Sequence, residues 1–456
     1  MDEKVFYIKG GMLIDPEGER IYPADLLIEK GKIGKIIPVQ DASLTGNHLR
    51  EKGKQEERKV PEGAKVLHAD GLMIAPGLAD THVHFRDPGF TYKEDIETGA
   101  AAAKKGGFTQ IVLMANTKPC VDNEQTLAYV LDKGRSTGIH IHSCVNVSKQ
   151  MKGKELVDME LLAKRGAAGF TDDGIPLMDE TLAREAMERA GRLGKPISFH
   201  EENPELITNN GIHAGEASRH YGIKGSPREA EISLVERDLK LAEGTGAEIV
   251  IQHISTKETV ELLRGAKKKG LHAHGEATPH HFTLTQQAVI EKGTLAKMNP
   301  PLREEADRLA IIAGLADGTV DVIATDHAPH STEEKKRPIT EAPSGIIGLE
   351  TALSLGIREL VDKGYLTLPQ LIYRMSTAPC RLYGLDGGVL KEGAAADLVL
   401  FDPGERWTVK EFASKSSNSP FVGEEMPGVV YYTICGGKIV YRKEERTLRQ
   451  VPRELV

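Results

Sequence analysis

Six residues share two properties: a side chain that ligates metal ions, and a place where strand-like text runs out. His82 and His84 stand two apart at the end of LMIAPGLADTHV, before the Arg86-Asp87-Pro88-Gly89 turn. In a strand, residues two apart face the same way, so both imidazoles can converge on one ion. Asp173 closes GFTDD, His200 closes PISFH, His253 falls at the end of AEIVIQHI and Asp326 closes DVIATD. Four imidazoles and two carboxylates suit two zinc ions bridged by a carboxylate and a hydroxide. Two Zn²⁺, two carboxylates and one hydroxide sum to about +1, a centre that favours an anionic substrate.

Each of these residues also has a structural reading. An isolated HxH is more often a buried, hydrogen-bonded pair, and the chain holds two more, His140/His142 and His272/His274. Those two pairs sit earlier in their strands and read as structural. Asp173 alone reads as a turn or cap residue, and His200 and His253 as satisfied polar groups. The coincidence of all six at strand ends is what argues for a metal centre. Arg86 follows His84 by two and offers a bidentate fork to a carboxylate; the bland alternative is a salt bridge to Asp87 or a helix. Asn116, closing MAN, is a neutral donor for the same carboxylate or a turn residue. Asn299 and His330 fall in loops after the seventh and eighth strands. There is no GxSxG elbow and no cysteine beside an obvious histidine partner.

Positioning six such residues requires repeated strand ends on one face. Eight strand-like runs alternate with helical text such as YKEDIETGAAAAKKG and KETVELLRGAKKKG. That alternation predicts an α/β fold, a (β/α)₈ TIM-type barrel over 71–387. An open doubly wound sheet usually carries a Gly-rich phosphate loop, and neither GxGxxG nor GxxxxGK[ST] occurs. The two chain ends, 1–70 and 388–456, share a strand-and-turn texture and predict one small β-sandwich-like domain. The polar stretch 43–59 reads as a solvated loop.

The 456 residues exceed the roughly 250 of one large barrel, which leaves room for that second module. With 39% hydrophobic and 28% charged residues, disordered and fibrous classes are excluded. A net charge of −8 gives no basic surface for nucleic acid. No apolar run approaches the ~20 residues of a membrane helix, and MDEKVFYIKGG lacks the apolar core of a signal peptide. Four scattered cysteines predict a reduced, cytoplasmic protein.

The series PGLADTHVHFRDPG, MANTKPCVDN, GFTDDG, FHEEN, HISTKE, TPHHF, KMNPPLR and IATDHAPH resembles the motif series of bacterial class I dihydroorotases of the amidohydrolase superfamily, in order from about 74 to 350. The resemblance implies zinc at His82, His84, Asp173, His200, His253 and Asp326, two ions per subunit with a mononuclear form as the alternative, and gives the bridging place to Asp173 rather than Asp172. It implies substrate contacts from His84, Arg86, Asn116, Asn299, His330 and the Ser344-Gly345 turn, with Asp326 as base and then acid. The implied reaction interconverts N-carbamoyl-L-aspartate and L-dihydroorotate in pyrimidine synthesis. A homodimer is common in the family, and a complex with an aspartate carbamoyltransferase is compatible with it. Departures are Asp87 where the family mostly has Glu, Ala115 where Pro is common, and PSG where PFG also occurs. Hydantoinase- and allantoinase-type relatives use a carboxylated lysine as metal bridge, whereas the fourth strand here ends in Thr171-Asp172-Asp173. Non-catalytic scaffold relatives lose metal ligands, and all six are present.

Overall fold

The computed structural model describes residues 5–39 and 60–443; the stretch 43–59 lies outside them. The chain opens with β1 (Phe6–Asp15), β2 (Arg20–Glu29), β3 (Lys32–Pro38), β4 (Lys65–His68) and β5 (Met73–Pro76). Eight strands separated by helices follow: β6 (Leu78–Val83), β7 (Phe108–Leu113), β8 (His140–Ser143), β9 (Phe170–Thr171), β10 (Ile197–Phe199), β11 (Ile249–Ile251), β12 (Ala273–Ala277) and β13 (Val322–Ile323). β14 (Leu398–Thr408), β15 (Glu425–Cys435) and β16 (Lys438–Arg442) end the described chain. The class is α/β.

β6 to β8 form one parallel sheet and β9 to β13 another, both in chain order. Parallel bridges link their edges at both sides, Val145 with Phe170 and Val83 with His327. β6 and β7 are buried at every position, as expected where helices cover a parallel sheet. The helices supply narrow apolar stripes: Glu180–Leu193 buries Ala183, Ala186, Met187 and Ala190 at helical spacing. Asp179 caps that helix by accepting from Leu182 N, and Gly194 ends it in the left-handed conformation. Asp95, Asn123 and Thr256 cap three other connecting helices in the same way.

Both chain ends enter a single eight-stranded sheet, ordered β16-β15-β14-β5-β1-β2-β3 with β4 also on β1. They share a core in which Ile8, Leu13 and Leu26 meet Leu398, Leu400 and Ile434. The run LMIAPGLADTHV, read as one strand, is therefore two. Met73–Pro76 pairs with β14 and β1, and the chain crosses to the parallel sheet at Gly77. A Cβ there would stand 2.2 Å from Thr109 Oγ1, so only glycine allows the passage.

Candidate active site

The six residues meet at the C-terminal ends of the parallel strands. His82 lies on β6 and His84 one residue past it, and their ring centroids are 5.3 Å apart, so the alternation argument holds. His253 and Asp326 leave β11 and β13 at φ 33° and 47°. This left-handed backbone is uncommon outside glycine and costs of order 1–3 kcal/mol, and it recurs where a side chain must be aimed. Arg86 is a third case at φ 60°, so its direction comes from this turn and not from strand alternation, since β6 ends at Val83.

Asp173 stands at the centre. Its Oδ1 lies 3.4 Å from His82 Nε2 and 3.7 Å from both His200 Nδ1 and His253 Nε2, while its Oδ2 lies 3.5 Å from His84 Nε2. Asp326 Oδ1 is 3.0 Å from His84 Nε2 and 3.6 Å from His82 Nε2. Two donor groups thus share one carboxylate: His82, His84 and Asp173, and Asp173, His200 and His253. Asp172 points elsewhere, accepting from the Val147 and Ser148 amides.

This donor set fits divalent metal. Glu276 Oε1 sits 2.7 Å from His82 Nδ1 and takes its proton as a hydrogen bond, which turns the His82 Nε2 lone pair inward. That Nε2 is buried and has no hydrogen-bond partner. Burial alone would raise the Asp173 carboxyl, but the His82 charge and the nitrogens of His200 and His253 hold it well below the usual range. Burial likewise opposes charge on His200, yet Asp173 and Glu202 push it up to about 10. Asp326 is held low by His84 and His82 against its own burial. A pocket in which carboxylates stay ionised and draw positive charge onto imidazoles is one that a metal cation satisfies.

Residues that sequence reasoning had passed over orient these ligands. Glu276 Oε1 also accepts from His253 N at 3.1 Å, so one carboxylate ties two ligand residues. Glu202 Oε2 lies 3.1 Å from His200 Nε2. Asp80 accepts from the His82 and Thr325 amides. The signal for Glu276 was an acid inside the small-residue strand AHGEA, where a buried charge must find a partner. The Asn116 side chain reaches from His84 Nδ1 (3.0 Å) to Asp173 Oδ2 (3.0 Å), so it braces the centre it borders.

Arg86 forms no pair with Asp87, whose carboxylate instead holds Lys133 and the Tyr129 hydroxyl. The guanidinium meets the Pro329 carbonyl at 3.3 Å and lies 3.4 Å from His330 Nε2. Lys93 Nζ stands 3.2 Å from His330 Nδ1, adding a second cation that the sequence had not singled out. The ring of His330 is buried beside these cations and kept neutral, and its Nε2 donates to the Ser344 carbonyl at 2.8 Å. Two buried lysines support the Ser344-Gly345 turn. Lys335 Nζ donates to Pro343 O and Gly345 O, and Lys297 Nζ to Ile339 O and Ala342 O. Asn299 Oδ1 is buried without a partner. The other histidine pairs are engaged away from this centre: His140 with Asp397, His142 with Gln110, and His272 and His274 with Glu248.

A family model described as Dihydro-orotase-like matches residues 71–259. A dihydroorotase of Clostridioides difficile is 52% identical over 434 residues, covering 95% of this chain and 99% of that protein. Dihydroorotases of Clostridium acetobutylicum and Lactococcus lactis are 47% and 46% identical over 436 residues, each with the same coverage. Among solved structures, the L-hydantoinase (dihydropyrimidinase) of Arthrobacter aurescens superposes with a TM-score of 0.83 at 24% identity, over 99% of this chain and 98% of that one. The D-hydantoinase of a Thermus species gives 0.80 at 24%, over 98% and 99%. At that identity the structural likeness speaks for the fold alone, whereas relatives half identical from end to end speak for descent: the chain belongs to the dihydroorotase family.

Proposed function

We propose that the His/Asp centre holds two zinc ions and performs the reaction of a dihydroorotase, the reversible cyclisation of N-carbamoyl-L-aspartate to L-dihydroorotate in pyrimidine synthesis. The frame we assign is a (β/α)₈ barrel within 71–387, with 1–70 and 388–456 as a β-sandwich-like domain whose sheet also takes in β5. The edge bridges that join the two parallel sheets on both sides support the barrel. Four cysteines, none in a disulfide, suit a reducing cytoplasm.

The ions would be held by His82, His84, Asp173, His200, His253 and Asp326, of which Asp173 belongs to both donor groups. When bound, they supply Lewis-acid polarisation of a carbonyl and acidification of water. Asp326, ionised and beside His84, takes a proton at its carboxylate and returns it to the ring nitrogen that departs on hydrolysis. Arg86 receives the substrate carboxylate, with Asn116, Asn299, His330 and the Ser344-Gly345 turn around the ring, so that the reacting carbonyl is presented in one orientation.

The observation that carries this reading is the half-buried Arg86 guanidinium beside the centre, which donates to the Pro329 carbonyl and, among the described residues, forms no hydrogen bond with a carboxylate. A cyclic amide bearing a carboxylate completes it; an uncharged hydantoin ring does not. The test is a steady-state assay of zinc-loaded protein on L-dihydroorotate, with hydantoin and allantoin alongside. Ring opening confined to dihydroorotate, and abolished in a folded Asp326→Asn variant, is expected. Near-normal turnover by that variant, or preference for hydantoin, overturns the assignment.

A further inference from the structure

A second cluster of metal-type side chains lies at the opposite ends of the strands from the active centre. His140 is the first residue of β8, Asp397 immediately precedes β14, and Cys435 is the last residue of β15. Their imidazole, carboxylate and thiol ligand atoms all fall within 4.8 Å of one another. Tetrahedral zinc with bonds of about 2.0–2.3 Å places its ligands roughly 3.3–3.8 Å apart, so side-chain adjustments of about 1 Å close the set. From these three residues we propose a separate binding site for a borderline-soft divalent cation of the zinc type, with solvent as the fourth ligand.

The surroundings are built for it. Asp397 Oδ1 accepts from Gly436 N at 2.7 Å, which leaves Oδ2 facing His140 Nε2 at 3.0 Å. Gln110 Nε2 stands 3.4 Å from the same Oδ2, and Gln110 Oε1 is taken by His142, so this amide steadies the carboxylate. Asp397 and Cys435 are buried, whereas the His140 side chain is 43% exposed and opens an entry path for ion and water. Without metal, burial and the Asp397 charge push the Cys435 thiol well above its usual range. Binding therefore releases the thiol proton and any proton shared between His140 and Asp397. One thiolate and one carboxylate then balance the 2+ charge, a neutral site suited to partial burial. The ligands come from both sheets, so the ion clips the parallel sheet to the sheet of the two chain ends.

The probe is Co²⁺ added to enzyme whose active centre is already metal-loaded, read by thiolate-to-metal charge-transfer absorption. The His/Asp centre has no sulfur ligand, so such a band reports this cluster. We expect a band saturating at one equivalent per chain, absent in Cys435→Ser and weakened at least tenfold in affinity in His140→Ala, with dihydroorotate turnover unchanged in both. No band in the parent enzyme, a band undiminished in Cys435→Ser, or unaltered affinity in His140→Ala overturns the proposal. His140 is partly exposed, so its replacement tests the site even where Cys435→Ser fails to fold.

Discussion

Glu276 gives the sharpest test of how the active centre is held. It is 1% exposed, touches no substrate in the proposed reaction, and accepts from His82 Nδ1 at 2.7 Å and His253 N at 3.1 Å. Glu276→Gln preserves volume and one accepting oxygen but removes the charge that makes His82 a strong, correctly turned ligand. A hydrogen bond to a charged group is worth about 1.5–3 kcal/mol. Loss of an outer partner of a metal-bound histidine costs about 10–100-fold in metal affinity, or about 1.4–2.7 kcal/mol, so the two routes agree. The assay is activity against zinc concentration in chelator buffers, with thermal unfolding in parallel. The half-saturating zinc concentration should rise by about 10–100-fold, with much of kcat recovered at saturating metal. An unchanged zinc dependence, with folding intact, would refute the argument that Glu276 sets the basicity and direction of His82.

Arg86→Lys keeps the charge and loses the planar fork, so kcat/KM for dihydroorotate should fall about 10–100-fold, mainly through KM; an unmoved KM sinks the carboxylate role. Gly345→Ala places a Cβ 2.6 Å from Ala328 Cβ at φ 112°, a strain of about 1–3 kcal/mol that should displace the Ser344 turn and raise KM about tenfold. Substrate kinetics like the parent's would show that this turn does not contact substrate. Burial and the Lys297 charge bring the Lys335 ammonium down from 10.5 to about 7. Between those values the unfolded chain keeps a proton that the folded chain has released. Stability from this group therefore rises with pH across that window, by about 5 kcal/mol at most, and the cost is fully present below it. Urea unfolding between pH 7 and 10 should show a flatter pH dependence for Lys335→Met than for the parent; parallel curves would contradict it.

All eight parallel strands and the six candidate ligands were legible in the sequence, because strand ends coincide with metal-type residues and because β-rich and helical text alternate by period. The joining of the two chain ends was legible too, in their shared strand-and-turn texture. Strand boundaries were less so. LMIAPGLADTHV reads as one apolar run, and only the close approach at Gly77 divides it between two sheets. Arg86 was placed on the right side for the wrong local reason, since a left-handed turn and not strand alternation aims it.

What the linear chain determines is which residue types stand at which strand ends, since periodicity and composition are local properties. The sharing of Asp173 between two histidine groups, the pairing of Glu276 with His82 across 194 positions, and the meeting of His140, Asp397 and Cys435 are decided by tertiary structure alone. Each depends on side chains brought within bonding distance by strands far apart in sequence, and on burial that gives those contacts their electrostatic strength.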